Sequence, residues 1–325
     1  LSHRHAIAQT AGRDPAGPGE PPEAAGAGAG ATSVPPEGFS HERAAPDAAV
    51  AGLSPAVLAG LLAHTDLEVE VVESTGSTNA DLLRRASEAA PERPVLRAAD
   101  RQTAGRGRRG RSWHGAPRGS LLFSVALRWE RAPADAAGVT LACALAVARC
   151  LEQARIDVML KWPNDILLDG RKLAGMLAEI AEDRAGRRTL VIGLGMNLWL
   201  DQHTRAAIGH AVAELAERIA PAQLRADRER WLARLAEAIV AAARAFAQQG
   251  FAPLQHEFNA RLAYRGEAVA AIGGGSGANA IHGIVHGVDA QGLLHLESEQ
   301  GARALASGEL SLRVAGRDRP ATDAP

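Results

Sequence analysis

The segment from Asp157 to Asn197 admits few folds. Asp157–Lys161 is a short apolar strand ending on a lysine, and Trp162-Pro163-Asn164-Asp165 reads as a turn. Ile166–Leu168 is a second strand, closed by the tight hairpin signal Asp169-Gly170. Lys172–Ile180 has helical propensity, but hairpin signals flank it at Asp169-Gly170 and Ala185-Gly186 and decide for a strand. Thr189–Leu194 follows and runs into Gly193-Leu194-Gly195-Met196-Asn197. These segments describe an antiparallel meander whose loops gather Lys161, Asp165, Lys172 and Asn197.

Two of those four residues are the only lysines in the chain, among 36 basic residues. Lysine is a compact, strongly hydrated point charge and arginine a planar fork, so the two are not interchangeable at a tight site. An arginine-biased genome that left two lysines by chance accounts for the same count.

The flanking sequence adds helices on one side and more strands on the other. Ser54–Ala63 is helical with Pro55 at its first position, and Glu68–Glu73 alternates as a strand. Ser74-Thr75-Gly76-Ser77-Thr78-Asn79 leads into a helix over Ala80–Ala89. Thr78 with Asp81 resembles a capping pattern; the same hydroxyls and free N–H groups also suit a carboxylate or small polar ligand. Ala134–Ala154 carries the apolar stripe Val139, Cys143, Val147, Cys150. The two cysteines, about 10 Å apart on such a helix, lie beyond disulfide reach, and their scarcity fits a reducing compartment.

Two amphipathic helices come next, one through Ile208, Val212, Leu215 and Ile219 and one from Ala222 to Gln249. After Asn259 short strands are expected at Ala268–Ile272, Ala280–Val285, Leu293–Glu297, Ala302–Ala306 and Ser311–Val314. Turn signals such as Gly273-Gly274-Gly275 separate them, which implies a small β-barrel. The domain reading is therefore a disordered Ala/Gly/Pro-rich tail over 1–46, a catalytic domain over 47–260, a barrel over 261–316 and a frayed tail over 317–325. A net charge of −1 supplies no global field toward nucleic acid or membrane. No apolar run approaches the length of a membrane span and no signal peptide is visible, so a cytoplasmic protein is expected.

Pro94–Ala99 reads as a strand feeding a stretch in which Arg101, Arg106, Arg108, Arg109 and Arg111 alternate with Gly105, Gly107 and Gly110. The glycines match the dinucleotide-binding pattern G-x-G-x-x-G in form. That turn must open into a helix, whereas here the chain continues through Trp113 and Pro117 into a strand at Ser120–Leu127. Guanidinium forks with glycines between them suit a mobile loop around a polyphosphate. A solvated basic loop and a nucleic-acid arm are the alternatives, and one tyrosine in the whole chain offers little for base stacking.

Five motifs together resemble the biotin–protein ligase family: Ser77-Thr78-Asn79; Gln102 with Gly105-Arg106-Gly107-Arg108-Arg109-Gly110-Arg111 and Trp113; Lys161-Trp162-Pro163-Asn164-Asp165; Lys172-Leu173-Ala174-Gly175; and Gly193, Gly195, Asn197. They fall in the family's order over roughly Val71 to Val314. The resemblance implies an α+β fold, with a mixed, mostly antiparallel sheet, packed helices of the class II synthetase kind and a small C-terminal SH3-like barrel. It implies ATP-dependent activation of biotin as biotinyl-5′-AMP and transfer to a lysine of a biotin carboxyl carrier protein, with Mg2+. Such chemistry needs cations around a phosphoryl group more than a covalent nucleophile.

By the same resemblance, Ser77, Thr78, Asn79 and Gln102 hold biotin, with Arg106, Gly107, Arg108 and Lys161. Lys161, Arg106 and Arg108 act at the reacting groups. Gly105, Arg108, Arg109, Gly110, Arg111, Trp113, Lys172 and Asn197 serve ATP. Trp113 either packs on the nucleotide or fills the core, and Asp165 either helps hold Mg2+ or shapes a turn. Some family members carry an N-terminal winged helix-turn-helix; the stretch before Val69 shows no such pattern, so no DNA partner is expected. A homodimer is compatible with the sequence. A lipoate or octanoate ligase is the nearest rival, and a nucleic-acid-binding module is the rival of a different class.

Overall fold

The expected meander is present as one half of a larger sheet. The computed structural model describes residues 51–132, 135–272, 280–306 and 311–314, and these belong to one compact unit. The disordered reading of 1–46, the Gly273–Gly275 turn and the 317–325 tail lie outside the described residues. Seven strands form the main sheet: β1 (Glu68–Thr75), β2 (Val95–Gln102), β3 (Ser120–Arg128), β4 (Met159–Lys161), β5 (Asp165–Leu168), β6 (Arg171–Glu182) and β7 (Arg188–Asn197). Their order across the sheet is β1-β2-β3-β7-β6-β5-β4. Only β1 and β2 are parallel, joined by the helix α2 (Thr78–Glu88); the other pairs are antiparallel.

The two faces of the sheet are used differently. One carries the large core: Leu121, Phe123, Val125 and Leu127 of β3 and Leu190, Ile192, Leu194 and Met196 of β7 alternate onto it. It is covered by α3 (Ala136–Gln153) and α6 (Arg228–Gln249). On the opposite face α2 buries only a small cluster, Leu82 against Val95, Ala126 and Val191. The strands beyond α2 on that face carry glycines and polar residues, and there the site lies.

Four sequence expectations change. Ser77, not Thr78, caps α2, its side chain accepting from Ala80 N–H; Asp81 instead takes hydrogen bonds from Thr75, Arg84 and Arg97. The helix through Ile208–Ile219 is a short one, α4 (Gln202–Ile208), stopped by Gly209 at φ 73°. Val212 then bridges to Lys172 and a single 3-10 turn covers Leu215–Glu217. The Ala222–Gln249 helix is split at Asp227 into α5 (Pro221–Ala226) and α6. Finally, α3 does have the length and hydropathy of a membrane span, but 72% of it is buried inside the fold. Its apolar surface is used on α6 and the sheet, with Cys143 and Cys150 free and buried. The Ser54-capped helix over Pro55–Leu61 (α1) stands as expected.

At the C-terminus, α7 (Gln255–Ala260) leads to a five-stranded antiparallel sheet: β8 (Ala268–Ile272), β9 (Ile281–Val288), β10 (Leu294–Ser298), β11 (Gly301–Leu305) and β12 (Ser311–Val314), in the order β11-β10-β9-β8-β12. It is consistent with the SH3-like module. The passage into it is not a loose linker. Leu160 of the edge strand β4 pairs with Leu262, and the buried Trp162 indole donates to Gly292 O at 3.2 Å.

Candidate active site

Residues paired across adjacent strands share a face, so register alone assembles much of the site. Lys161 at the end of β4 stands opposite Asp165, Asp165 opposite Gly175, Gly175 opposite Gly195, and Gly195 opposite Leu122. Lys161 and Gly195 are three strand spacings apart in this rank, about 14 Å. The next rank on the same face runs Leu177, Gly193, Ser124 and Arg97.

The glycines of these ranks form a floor on which other groups lie directly. A Cβ on Gly193 would stand 2.4 Å from Asn79 Oδ1, and one on Gly195 would stand 2.3 Å from the Trp113 indole. Neither contact is tolerable, so these positions are glycine for close approach.

One end of the floor is a cluster of hydroxyls and amides, with the Glu179 carboxylate at its edge. Thr78, at the start of α2, donates its backbone N–H to Gln102 Oε1 at 2.7 Å. Its hydroxyl lies 2.7 Å from Ser124 Oγ. Ser124 in turn donates to Asn79 Oδ1 at 2.6 Å. Ser77, Thr78, Asn79 and Ser124 are all buried. Buried hydroxyls and amides without charge suit a neutral, multiply hydrogen-bonding ring.

The other end is cationic. Lys172 Nζ pairs with Asp165 at 2.7 Å and lies 5.4 Å from the Trp113 ring centroid, within cation–π range. Lys161 Nζ lies 5.5 Å from the Tyr264 ring. Arg108 reaches Asn164 Oδ1 at 3.5 Å. Burial pulls its guanidinium below the usual arginine range; Asp165 opposes that, and Arg111 and Arg109 add to it. Such a cation gains by receiving an anionic ligand.

The arginine–glycine stretch is a short hairpin. Arg106 pairs with Ser112, Trp113 N–H donates to Gly105 O at 2.8 Å, and Gly107 N–H donates to Arg111 O at 2.7 Å. Arg109 sits at its tip with φ 61°, followed by Gly110 at φ 70°. Beyond Gly110 the chain runs through a single bridge at Ser112 and a loop to β3, and not into a helix, which disposes of the dinucleotide-binding pattern. Arg106 pairs with Glu179 at 3.0 Å. Arg109, Gly110 and Arg111 are exposed, and Arg109 reaches Ile272 O at 3.3 Å, toward the small sheet and not the floor. Asn197, at the far end of the β7 row, is buried; its amide donates to Ala213 O at 3.1 Å, and its Oδ1 finds no hydrogen-bond partner among the described residues. The Trp113 Nε1 donor is likewise unmatched.

Ser77, Thr78, Asn79, Gln102, Gly105, Arg106, Gly107, Arg108, Trp113, Lys161, Asp165, Lys172 and Asn197 thus border one glycine-floored face. Sequence reasoning missed Ser124, Glu179, Asn164 as a side-chain partner, and Tyr264. Ser124 had a signal: it is the one hydroxyl inside the otherwise apolar Leu121–Leu127 run. Glu179, four residues beyond Gly175 on the same strand face, had none that separates it from a solvated charge.

Comparison with known proteins bears on the family and the fold. The Biotin/lipoate A/B protein ligase family matches residues 71–197, the span from β1 to the end of β7. The bifunctional ligase/repressor BirA of Escherichia coli (strain K12) is 34% identical over 76% of this chain and 74% of its own length. The biotin--[acetyl-CoA-carboxylase] ligase of Paracoccus denitrificans is 33% identical over 73% of this chain and 97% of its own length. Among solved structures, the biotin protein ligase from Aquifex aeolicus in complex with biotin and ATP superposes with a TM-score of 0.61 at 27% identity, covering 76% of this chain and 99% of that one. On the strength of its motifs, its fold and these relatives, the chain belongs to the biotin/lipoate A/B protein ligase family, as an enzyme of the biotin–protein ligase kind.

Proposed function

We propose that the chain activates biotin with ATP as biotinyl-5′-AMP and passes the biotinyl group to a lysine of a biotin carboxyl carrier protein. The observation that carries this reading is the polarity of the glycine-floored face. A neutral hydroxyl and amide cluster lies at one end, while Lys161, Lys172 and Arg108 lie at the other. A ligand with an uncharged head group and a carboxylate tail fits that gradient.

In the first step an oxygen of biotin's carboxylate attacks the α-phosphorus of ATP and pyrophosphate leaves. In the second, a lysine amine attacks the acyl carbon of the mixed anhydride and AMP leaves. Thr78, Asn79, Gln102 and Ser77 orient the head group. Lys161 screens the carboxylate against the α-phosphate, where two anions must meet. Arg106, Gly107 and Arg108 cover biotin and the adenylate and keep water from the anhydride. Trp113, Lys172 and Asn197 serve the nucleotide, with Gly105, Arg109, Gly110 and Arg111 shaping the hairpin beside it.

Among the described residues no three His, Cys, Asp or Glu side chains converge as a metal site. Mg2+ is commonly held by one or two carboxylates together with substrate phosphates. Asp165, already paired with Lys172, fits such a cation as part of MgATP, where it would neutralise phosphate charge.

The test is mass spectrometry of a biotin carboxyl carrier domain incubated with the protein, biotin and MgATP. The reading predicts one biotinyl addition on one lysine. Carrier that stays unmodified while biotinyl-AMP accumulates would remove the second step.

A further inference from the structure

Glu179 is not among the residues assigned above, yet it sits where the two halves of the site meet. It lies on β6, on the same face as Gly175 and Leu177, with its side chain 25% exposed. One carboxylate oxygen, Oε1, accepts from Arg106 Nη2 at 3.0 Å. The other, Oε2, accepts from Asn79 Nδ2 at 2.9 Å.

That second contact fixes more than one bond. Asn79 Nδ2 also donates to Leu177 O at 3.2 Å, so both of its neighbours on that side are acceptors and the amide orientation is determined. Asn79 Oδ1 must then face Ser124, whose single hydroxyl proton goes to it. The 2.7 Å contact between Ser124 and Thr78 therefore needs the proton of Thr78. With that proton committed, the Thr78 hydroxyl has none left for Gln102 Oε1 at 3.1 Å. Gly193 locks the arrangement by leaving room for Asn79 on the sheet.

We propose that Glu179 is a positioning residue that sets the proton direction of the Asn79–Ser124–Thr78 chain and tethers Arg106 of the hairpin to it. The inference rests on the biotin reading of that cluster. Among the described residues Glu179 is the one carboxylate in direct contact with both parts, so the state of the head-group pocket and the position of Arg106 are coupled through it. Glutamine at this position keeps the shape but has one acceptor oxygen. It can satisfy Arg106 or Asn79, and it presents an N–H₂ donor to the other.

Calorimetric titration of biotin into the unsubstituted chain, E179Q, S124A and E179Q/S124A tests this. S124A cuts the chain between Asn79 and Thr78 and leaves the Arg106–Glu179 pair in place. Loss of a hydrogen bond to a charged group corresponds to roughly a tenfold or greater change in affinity. E179Q is therefore expected to weaken biotin binding by about tenfold with the unfolding midpoint little changed. The double variant should be weakened by clearly less than the product of the two single effects, because the residues act through one chain. Biotin binding by E179Q equal to that of the unsubstituted chain overturns the inference, as do strictly multiplicative effects. If E179Q does not fold, S124A with unaltered affinity overturns it instead. Absence of biotin binding by the unsubstituted chain overturns the functional reading and this inference together, which separates the two failures.

Discussion

Lys161 carries the heaviest chemical assignment. It ends β4 opposite Asp165 and its ammonium faces the Tyr264 ring; arginine there would bring a larger, more diffuse cation. Lys161→Ala is expected to lower adenylate formation by at least about a hundredfold, the scale of removing one electrostatic stabiliser, with the fold intact. Single-turnover formation of biotinyl-AMP measures it; a folded variant retaining most of the rate would take Lys161 out of the reaction. At this scale the sequence was legible where residues stood in spaced motifs. It was not legible for Ser124 and Glu179, because their importance comes from partners 45 and 73 residues away, which only the sheet register brings together.

The elements owe their site to alternation along β6 and β7. The chain places apolar residues on one face and Gly193, Gly195 and Asn197 on the other, a pattern readable in advance as a strand. Gly195→Ala should drive a methyl group into Trp113, cost roughly 1–3 kcal/mol as overpacking does, and raise the KM for ATP. Denaturant unfolding and ATP kinetics together decide; a variant unaffected in both would show that Trp113 moves freely and does not define the nucleotide position. The β6–β7 turn offers a pH test. Backbone N–H groups of Ala90 and Arg187 hold the Asp183 carboxyl down to about 2, outweighing its burial, with the Arg187 guanidinium and Ala185 N–H assisting. A depressed folded-state pKa gives stability that is fully present above the unfolded value of 3.8 and lost as pH falls toward about 2. The stability gap between the protein and Asp183→Asn should therefore be constant above pH ~4 and close below it. A gap that stays constant through acid would contradict that linkage. The apolar spacing of the Ile208–Ile219 segment mimics a helix, while Gly209 and the Val212–Lys172 bridge turn the same residues into a strap beside the site.

On the scale of the molecule, the small C-terminal sheet is tied to the catalytic sheet through the motif itself. Trp162, buried between Lys161 and Pro163, donates to Gly292 O, and 261–263 extend the β4 edge. Trp162→Phe leaves that carbonyl unmatched and is expected to cost roughly 1–3 kcal/mol, read as a lower thermal midpoint; an unchanged midpoint would mean the two parts are held elsewhere. Strand content of the C-terminal region was readable from its turn signals, but its attachment was not, since no local pattern says which carbonyl a tryptophan will meet. Removal of residues 1–46 is expected to leave ligation rates unchanged, and a large loss would make that stretch a functional part. The central claim, biotin activation on the glycine-floored face, is tested most directly by pyrophosphate release from MgATP with biotin, lipoate or no acid added. The account predicts release that requires biotin, with biotinyl-AMP recoverable; release with lipoate alone, or none with either acid from folded protein, would contradict it.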